Sequence, residues 1–373
     1  MSEQLNRRDF LNKSMRVSAG IVVGGAGSRS AHSALTKEEM ENAARIGHTR
    51  SYNPKMEYRR LGKTGLWVSA VCLGGHWKRI DKVIGTGEIN PYNAPTDKEQ
   101  FGPFMKNRED VIHYCLEQGI NCIDLAGDSE AEVYCRALGK SRDKIYLAYS
   151  HPASELRVPD NRKADKLLDL FKAGLKRCNI EYADIWRLMA LERGGQHSQA
   201  EVEAMMTALT KAREQGLCRY TGLSTHDRKW AEVLIKTYPD IVQVVVTPYT
   251  AKSKVLPRSS FFKAVQTHDV GILGIKPFAS NSLFIGDGSP DNPNAEEDDR
   301  RARMATRYIL NNPAITAPIP GLISTHQVDN MVLAVKERRE LDLVERAELE
   351  TIGDEMYARL PAEYQWLKDW EYV

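Results

Sequence analysis

Short apolar, β-branched runs recur along the chain from Val68 onward, separated by longer stretches in which apolar positions return every three or four residues. The runs are "VSAVCLGG" (68–75), "CIDLA" (122–126), "IYLAYS" (145–150), "IWRLMA" (185–190), "YTGLST" (220–225), "VQVVVTP" (242–248), "GILGIKPF" (271–278) and "ITAPIPG" (315–321). Near-continuous apolar runs of this kind predict strands buried on both faces, as in a parallel sheet. Between them, stretches such as "REDVIHYCLEQG" (108–119), "KADKLLDLFKAGLKRC" (163–178) and "QAEVEAMMTALTKAREQG" (199–216) carry the helical period, and several close on glycine. Eight strand–helix units over about 270 residues predict an α/β fold, a closed (β/α)8 TIM barrel. No Gly-x-Gly-x-x-Gly follows the first strand, which argues against a doubly wound sheet. Ahead of it, "MEYRRLGKTGLWVS" places a Lys63-Thr64-Gly65 turn between two extended runs and predicts an N-terminal β-hairpin.

The chain ends read differently. Arg7 and Arg8, then Phe10 and Leu11, precede the small apolar run "VSAGIVVGGAGS". That run is too short to span a bilayer, and the order matches a twin-arginine export signal, the alternative being a disordered basic tail. "AHSA" offers small residues for cleavage after Ser33. The expected organisation is a signal at 1–33, a polar linker at 34–55, the barrel at 56–340, and a C-terminal helix with an aromatic tail at 341–373. Export to the periplasm or medium follows from the signal. The tail "YQWLKDWEYV" either folds over the barrel mouth or packs on outer helices.

Composition narrows the partners. Lys plus Arg number 52 against 50 Asp plus Glu, so no net field favours nucleic acid or a membrane surface, and a small-molecule substrate is expected. The six cysteines are scattered without a C-x-x-C, which excludes zinc-ribbon and iron–sulfur clusters and leaves no metal site to propose. Most fall in apolar elements and are expected to be buried free thiols. In such a barrel, function gathers at the carboxyl ends of the strands and in the loops after them, two of which are long here, 77–97 and 281–299.

Seven motifs in order, "YRRLGKTGLWVSAVCLGG", "GINCIDLA", "DKIYLAYS", "YADIWRLMA", "YTGLST", "VQVVVTPY" and "APIPGLISTHQVDN", resemble the aldo/keto reductases from about Met56 to Arg338. The resemblance implies a nicotinamide cofactor, NADP or NAD, across the barrel mouth and hydride transfer to a carbonyl carbon. It implies that Ser224, Thr225 and Gln243 hold the carboxamide. It also assigns Pro320, Gly321, Ser324, Gln327 and Asn330 to the adenine and phosphate end, where a helix N-terminus is intrinsically suited to phosphate. No Arg or Lys lies between Ile319 and Leu333, which leaves the choice between NADP and NAD open.

The same resemblance exposes a gap. The family uses an aspartate ending its second strand, a tyrosine five residues on, a lysine ending the third strand and a histidine ending the fourth. Asp124 survives, but Ser129, Ser150 and Met189 stand at the other three places. Neither serine nor methionine can serve as an acid near neutral pH, and a placed general acid is worth about 10²–10⁴-fold in rate. Catalytic candidates are therefore Asp124 itself, with Arg187 as a cation across the barrel, and Lys276 at the end of the seventh strand. His151, beside the vacated lysine position, is a third, and His76 follows the first strand. The expected function is an NAD(P)-dependent oxidoreductase acting on a carbonyl or alcohol, sugars included, with an atypical proton donor. An inactive binding protein on the same frame is the alternative, and a lyase or isomerase using Asp124 and Lys276 is a third.

Overall fold

Small and β-branched residues build eight parallel strands that pair in strict chain order: β3 (Leu73–Gly74), β4 (Cys122–Leu125), β5 (Tyr146–Tyr149), β6 (Ala183–Met189), β7 (Cys218–Ser224), β8 (Val244–Pro248), β9 (Gly271–Ile275) and β10 (Ala317–Pro318). The computed structural model describes residues 36–127, 129–253, 260–337 and 339–368. The twin-arginine motif, the Ser33 cleavage site and residues 369–373 of the tail lie outside the described residues. The first and last strands meet: Cys72 N–H donates to Pro318 O at 3.0 Å, Gly74 N–H donates to Pro320 O at 2.7 Å, and Gly74 bridges Gly321. The sheet is thereby closed into the (β/α)8 barrel that the apolar pattern predicts.

The predicted hairpin is β1 (Tyr58–Arg60) against β2 (Trp67–Ser69), and it plugs the amino-terminal end of the barrel. Its Leu61, Leu66 and Val68 share one buried cluster with interior residues Cys122, Val244 and Leu273. Gly62 sits at φ 49°, where a Cβ would lie 2.2 Å from the Gly271 amide nitrogen, so the close approach requires glycine.

Helices α1 (Lys37–Gly47), α2 (Ile80–Ile84), α3 (Lys98–Glu117), α4 (Glu130–Leu138), α5 (Ala164–Arg177), α6 (Gln199–Glu214), α7 (Arg228–Thr237), α8 (Ser260–Thr267), α9 (Ala295–Asn311), α10 (Thr325–Lys336) and α11 (Leu343–Ala358) complete the order. α5 shows why they form. Leu167, Leu168, Phe171 and Leu175 make one apolar stripe, and Phe171 stacks on Trp186 of β6 with ring centroids 4.2 Å apart. α6 starts at a reciprocal cap in which Ser198 and Glu201 each accept the other's backbone N–H. All six cysteines are free and buried. Among the described residues no helix is long and apolar enough to cross a membrane.

Three elements depart from the sequence pattern. The polar 34–55 segment contains α1, and beyond it Arg50 reaches Asp184 Oδ2 at 2.9 Å under the barrel. α3 begins ten residues before the apolar period is clear, because Asp97 caps it by accepting from the Glu99 and Gln100 amides. In the acidic loop α9 starts at Ala295, its first-turn Glu296, Glu297 and Asp298 opposing the helix dipole. Both long loops are held by named bonds: Trp77 Nε1 donates to Asn90 O at 2.7 Å, Arg79 Nη1 to Gly286 O at 2.9 Å, and the Ile285 amide to Asp298 at 2.8 Å.

Asp184 on β6 is fully buried and accepts from Arg50, from Arg142 and from the Leu147 amide. Removing it would leave two guanidinium groups without their counter-charge. Asp184→Ala is expected to cost about 3–5 kcal/mol, read as a lower urea midpoint with an unchanged slope.

Candidate functional site

The inward face of β4 carries Asp124 and that of β6 carries Arg187, and the barrel brings them together. Arg187 Nε donates to Asp124 Oδ1 at 2.6 Å and Nη2 to Oδ2 at 2.7 Å, a bidentate pair in which both side chains are buried. The remaining nitrogen, Nη1, is buried with no hydrogen-bond partner among the described residues. An unsatisfied buried donor costs about 1–3 kcal/mol, and Arg187 lines a cavity of about 530 Å³ at the carboxyl end of the barrel. Asp124, Ser224, Lys276, Pro320 and Gly321 line the same cavity.

Among the described residues, the last positions of β4, β5 and β6 carry no other ionisable group into this space, which Arg157 and Glu192 line from the loops beyond. The Ser129 hydroxyl accepts from the Ala94 amide at 2.7 Å and so ties α4 to the 77–97 loop. Ser150 is buried and donates to Glu155 at 3.4 Å. Burial pushes the Glu155 carboxyl above its ordinary value, against the opposing effect of hydrogen bonds from Trp186 Nε1 and the His151 amide. Met189 lines the cavity with its thioether 4.0 Å from Arg157 Nη2. His76 pairs with the buried Glu130, which also accepts from the Ala126 amide at 2.7 Å.

A second cluster faces Asp124 and Arg187 from the loops. Lys276 follows β9 at φ 56°, directly before Pro277, and Ala279, Ser280 and Asn281 also have positive φ. Left-handed backbone at non-glycine residues costs about 1–3 kcal/mol each and persists only where the surroundings impose it. Here the turn directs Lys276 over the mouth. The described part of the aromatic tail, a 3₁₀ turn at Ala362–Lys368, brings Glu363, Tyr364 and Trp366 to the mouth. Tyr364 and Trp366 line the cavity, Trp366 stacking on His226 at 4.0 Å. The Tyr364 Oη lies 3.3 Å from Lys78 Nζ and 3.4 Å from Tyr92 Oη, with Lys276 Nζ 4.9 Å from its ring centroid.

Charge acts strongly in this cluster. Burial lowers Lys276, and Lys78 and Arg157 lower it further, while Tyr364 opposes them. Burial alone would raise the Tyr364 phenol, but Lys276 first, then the Tyr92 hydrogen bond and Lys78, bring it down to about 7. His226, desolvated and beside Lys276, is held down at about 3 and stays neutral.

Several sequence-derived candidates lie elsewhere. His151 does not line the cavity, because the loop after β5 turns its ring to Ser154, whose Oγ is 2.8 Å from Nδ1. Gln243 precedes β8 and so sits at the opposite, amino-terminal end of the barrel, its side-chain carbonyl accepting from the Thr221 amide at 3.1 Å. Thr225 is buried and spends its hydroxyl on the Asp227 amide at 3.0 Å. Beyond β10, Ser324 caps α10 by accepting from the Gln327 amide, and the Gln327 side chain accepts from the Ile323 amide. Asn330 is buried between Arg303, which donates to it at 2.7 Å, and the Asp299 carbonyl. Sequence reasoning missed Lys78, Tyr92 and the individual importance of Tyr364. The only available signal was that the first came from a long mouth loop and the last from an aromatic tail.

In closed parallel barrels of this kind, binding groups gather at the carboxyl ends of the strands, where the polar cluster of this chain lies. Residues 84–303 match the model of the aldo/keto reductase family, and the chain belongs to that family. The chain is 22% identical over 314 residues to L-galactose dehydrogenase of Arabidopsis thaliana, covering 78% of this chain and 91% of the relative. It is 21% identical over 274 residues to L-glyceraldehyde 3-phosphate reductase of Escherichia coli O157:H7, covering 69% and 72% respectively. Among solved structures it is similar to an aldo-keto reductase from Klebsiella pneumoniae in complex with NADPH. That likeness has a TM-score of 0.58 at 17% identity, over 80% of this chain and 95% of that one.

Arg187→Met would strand the buried Asp124 carboxylate and is expected to cost about 3–5 kcal/mol. The double variant Asp124→Leu/Arg187→Met should recover most of that loss. Denaturant unfolding of the two single variants and the double variant measures the coupling.

Proposed function

We propose that the protein is an NAD(P)-dependent oxidoreductase that interconverts a carbonyl and an alcohol on a small polar substrate of the sugar class. The observation that carries this reading is the cavity at the carboxyl end of the barrel where Asp124–Arg187, Ser224, Lys276 and Pro320–Gly321 converge. The dehydrogenase and reductase names of the two relatives support the sugar class, and the NADPH-bound neighbour supports the cofactor.

The donor set fits a dinucleotide in part. Ser224 stands at the cavity wall, while Pro320, Gly321 and the first turn of α10 behind its Ser324 cap form a phosphate-compatible edge. A bound reduced nicotinamide would supply hydride to a carbonyl carbon. Arg187 lines the cavity wall, and its bidentate pair with Asp124 fixes the guanidinium there. Thr225, Gln243 and Asn330 are spent on intramolecular bonds and are not part of the proposed cofactor set. Ser129, Ser150 and Met189 stand where the family places its tyrosine, lysine and histidine, so the proton donor must come from elsewhere. We also propose export by the twin-arginine route. Its test is loss of the protein from the periplasmic or secreted fraction when Arg7 and Arg8 are both replaced by lysine.

Titration calorimetry with NADP(H) and NAD(H) tests the reading, and saturable heat with at least one of them is expected. At a hundred times Kd the ligand should stabilise the fold by about 2.7 kcal/mol, seen as a raised Tm. Absence of heat with all four dinucleotides would favour a binding protein on the same frame.

A further inference from the structure

We infer that Tyr364, in the C-terminal 3₁₀ turn, is the proton donor to the carbonyl oxygen, held in place by Lys78 and Lys276. This rests on the oxidoreductase reading and names the group that the strand ends no longer supply. Three chain segments far apart in sequence meet at the phenol. The loop after β3 brings Lys78 and Tyr92 to its oxygen, the turn after β9 brings Lys276 against its ring, and the tail brings Tyr364 itself. The phenol lines the same cavity as Asp124 and Arg187. Other candidates are spent or misplaced: Asp124 is an ion-paired carboxylate, His226 is stacked and neutral, and the His151 ring lies outside the cavity.

The groups facing the phenol are Lys78 and Tyr92 from the first loop, Lys276 and Ser280 from the turn after β9, and Glu363 beside it in the turn. Arg157, after β5, acts on it through Lys276. The Lys276 and Lys78 ammonium groups, with hydrogen bonds from Tyr92 and Ser280, favour the phenolate, which makes the phenol a usable acid near neutrality. The step balances as follows. Hydride from a reduced nicotinamide forms the new C–H bond, and the carbonyl π electrons move to oxygen. The Tyr364 O–H bond breaks as the alcohol O–H forms, leaving the phenolate and the oxidised dinucleotide. The reverse reaction needs the phenolate. Reduction should therefore slow as pH rises through about 7, and alcohol oxidation should speed up over the same interval.

Two measurements test the assignment. Ultraviolet difference titration of the cofactor-free protein should show one tyrosine ionising near neutrality, absent in Tyr364→Phe and still present in Tyr92→Phe. In Lys276→Met it should move up toward the usual tyrosine value of about 10. In turnover of a sugar-aldehyde panel with NADPH or NADH, Tyr364→Phe should lower kcat by about 10²–10³-fold. Its KM for the dinucleotide should stay near wild type, and the pH dependence near neutrality should vanish. A wild-type protein with no early-ionising tyrosine, or a Tyr364→Phe variant with wild-type kcat, overturns the proposal while leaving the oxidoreductase reading intact. Silent calorimetry with every dinucleotide would overturn both, even if the tyrosine titrates as expected.

Discussion

The mouth of this barrel is organised by one buried ion pair. Taking a carboxylate and a guanidinium out of water is costly, and only close, doubly hydrogen-bonded geometry offsets it. Asp124 and Arg187 meet that condition from strands two apart in the sheet, which demands a correctly closed and registered barrel. The pair also fixes the orientation of the third guanidinium nitrogen. A fork whose other two donors are locked on a carboxylate cannot turn to satisfy itself, so Nη1 is left buried without a hydrogen-bond partner among the described residues. One side chain thus joins a structural ion pair to the wall of the cavity.

Around that pair, other polar groups of the mouth come from loops. The ends of β4 and β5 present serines that serve loop anchoring and a buried glutamate, and the end of β6 presents a thioether. Cationic and phenolic groups come instead from the 77–97 loop, from the strained turn after β9 and from the C-terminal turn. The rigidity such groups need is supplied by neighbours. Trp77 is buried under its loop, Arg79 links that loop to Gly286, and the His226–Trp366 stack pins the tail. Loops carrying chemistry on a rigid scaffold are the usual arrangement in barrels. What is particular here is that three of them must be in place together.

Legibility in the sequence follows the range of the physics. Strands and helices obey periods of two and 3.6 residues, so the eight strands, the hairpin and the main helices could be read from local pattern. Asp124, Ser224, Lys276, Pro320 and Gly321, singled out through the family resemblance, all line the cavity, each at or just past a strand's carboxyl end. Gln243 was misread because only the strand boundary tells one barrel end from the other. His151 was misread because a loop dihedral, not its distance from a strand, sets where a ring points. Asn330 and Thr225 were drawn into local hydrogen bonds that no spacing rule reveals.

The sequence by itself determined the architecture and the residues that stand at the strand ends, Asp124, Ser150 and Met189 among them. Those are properties of single positions and short windows. Only the tertiary structure decided that Arg187 holds Asp124 with one nitrogen to spare, and that Tyr364 comes to rest against Lys78 and Lys276 from positions 286 and 88 residues away. Encounters at such separations are set by closure of the whole barrel and burial of the tail. The free energy that selects them is spread over the core and leaves no mark in the local pattern.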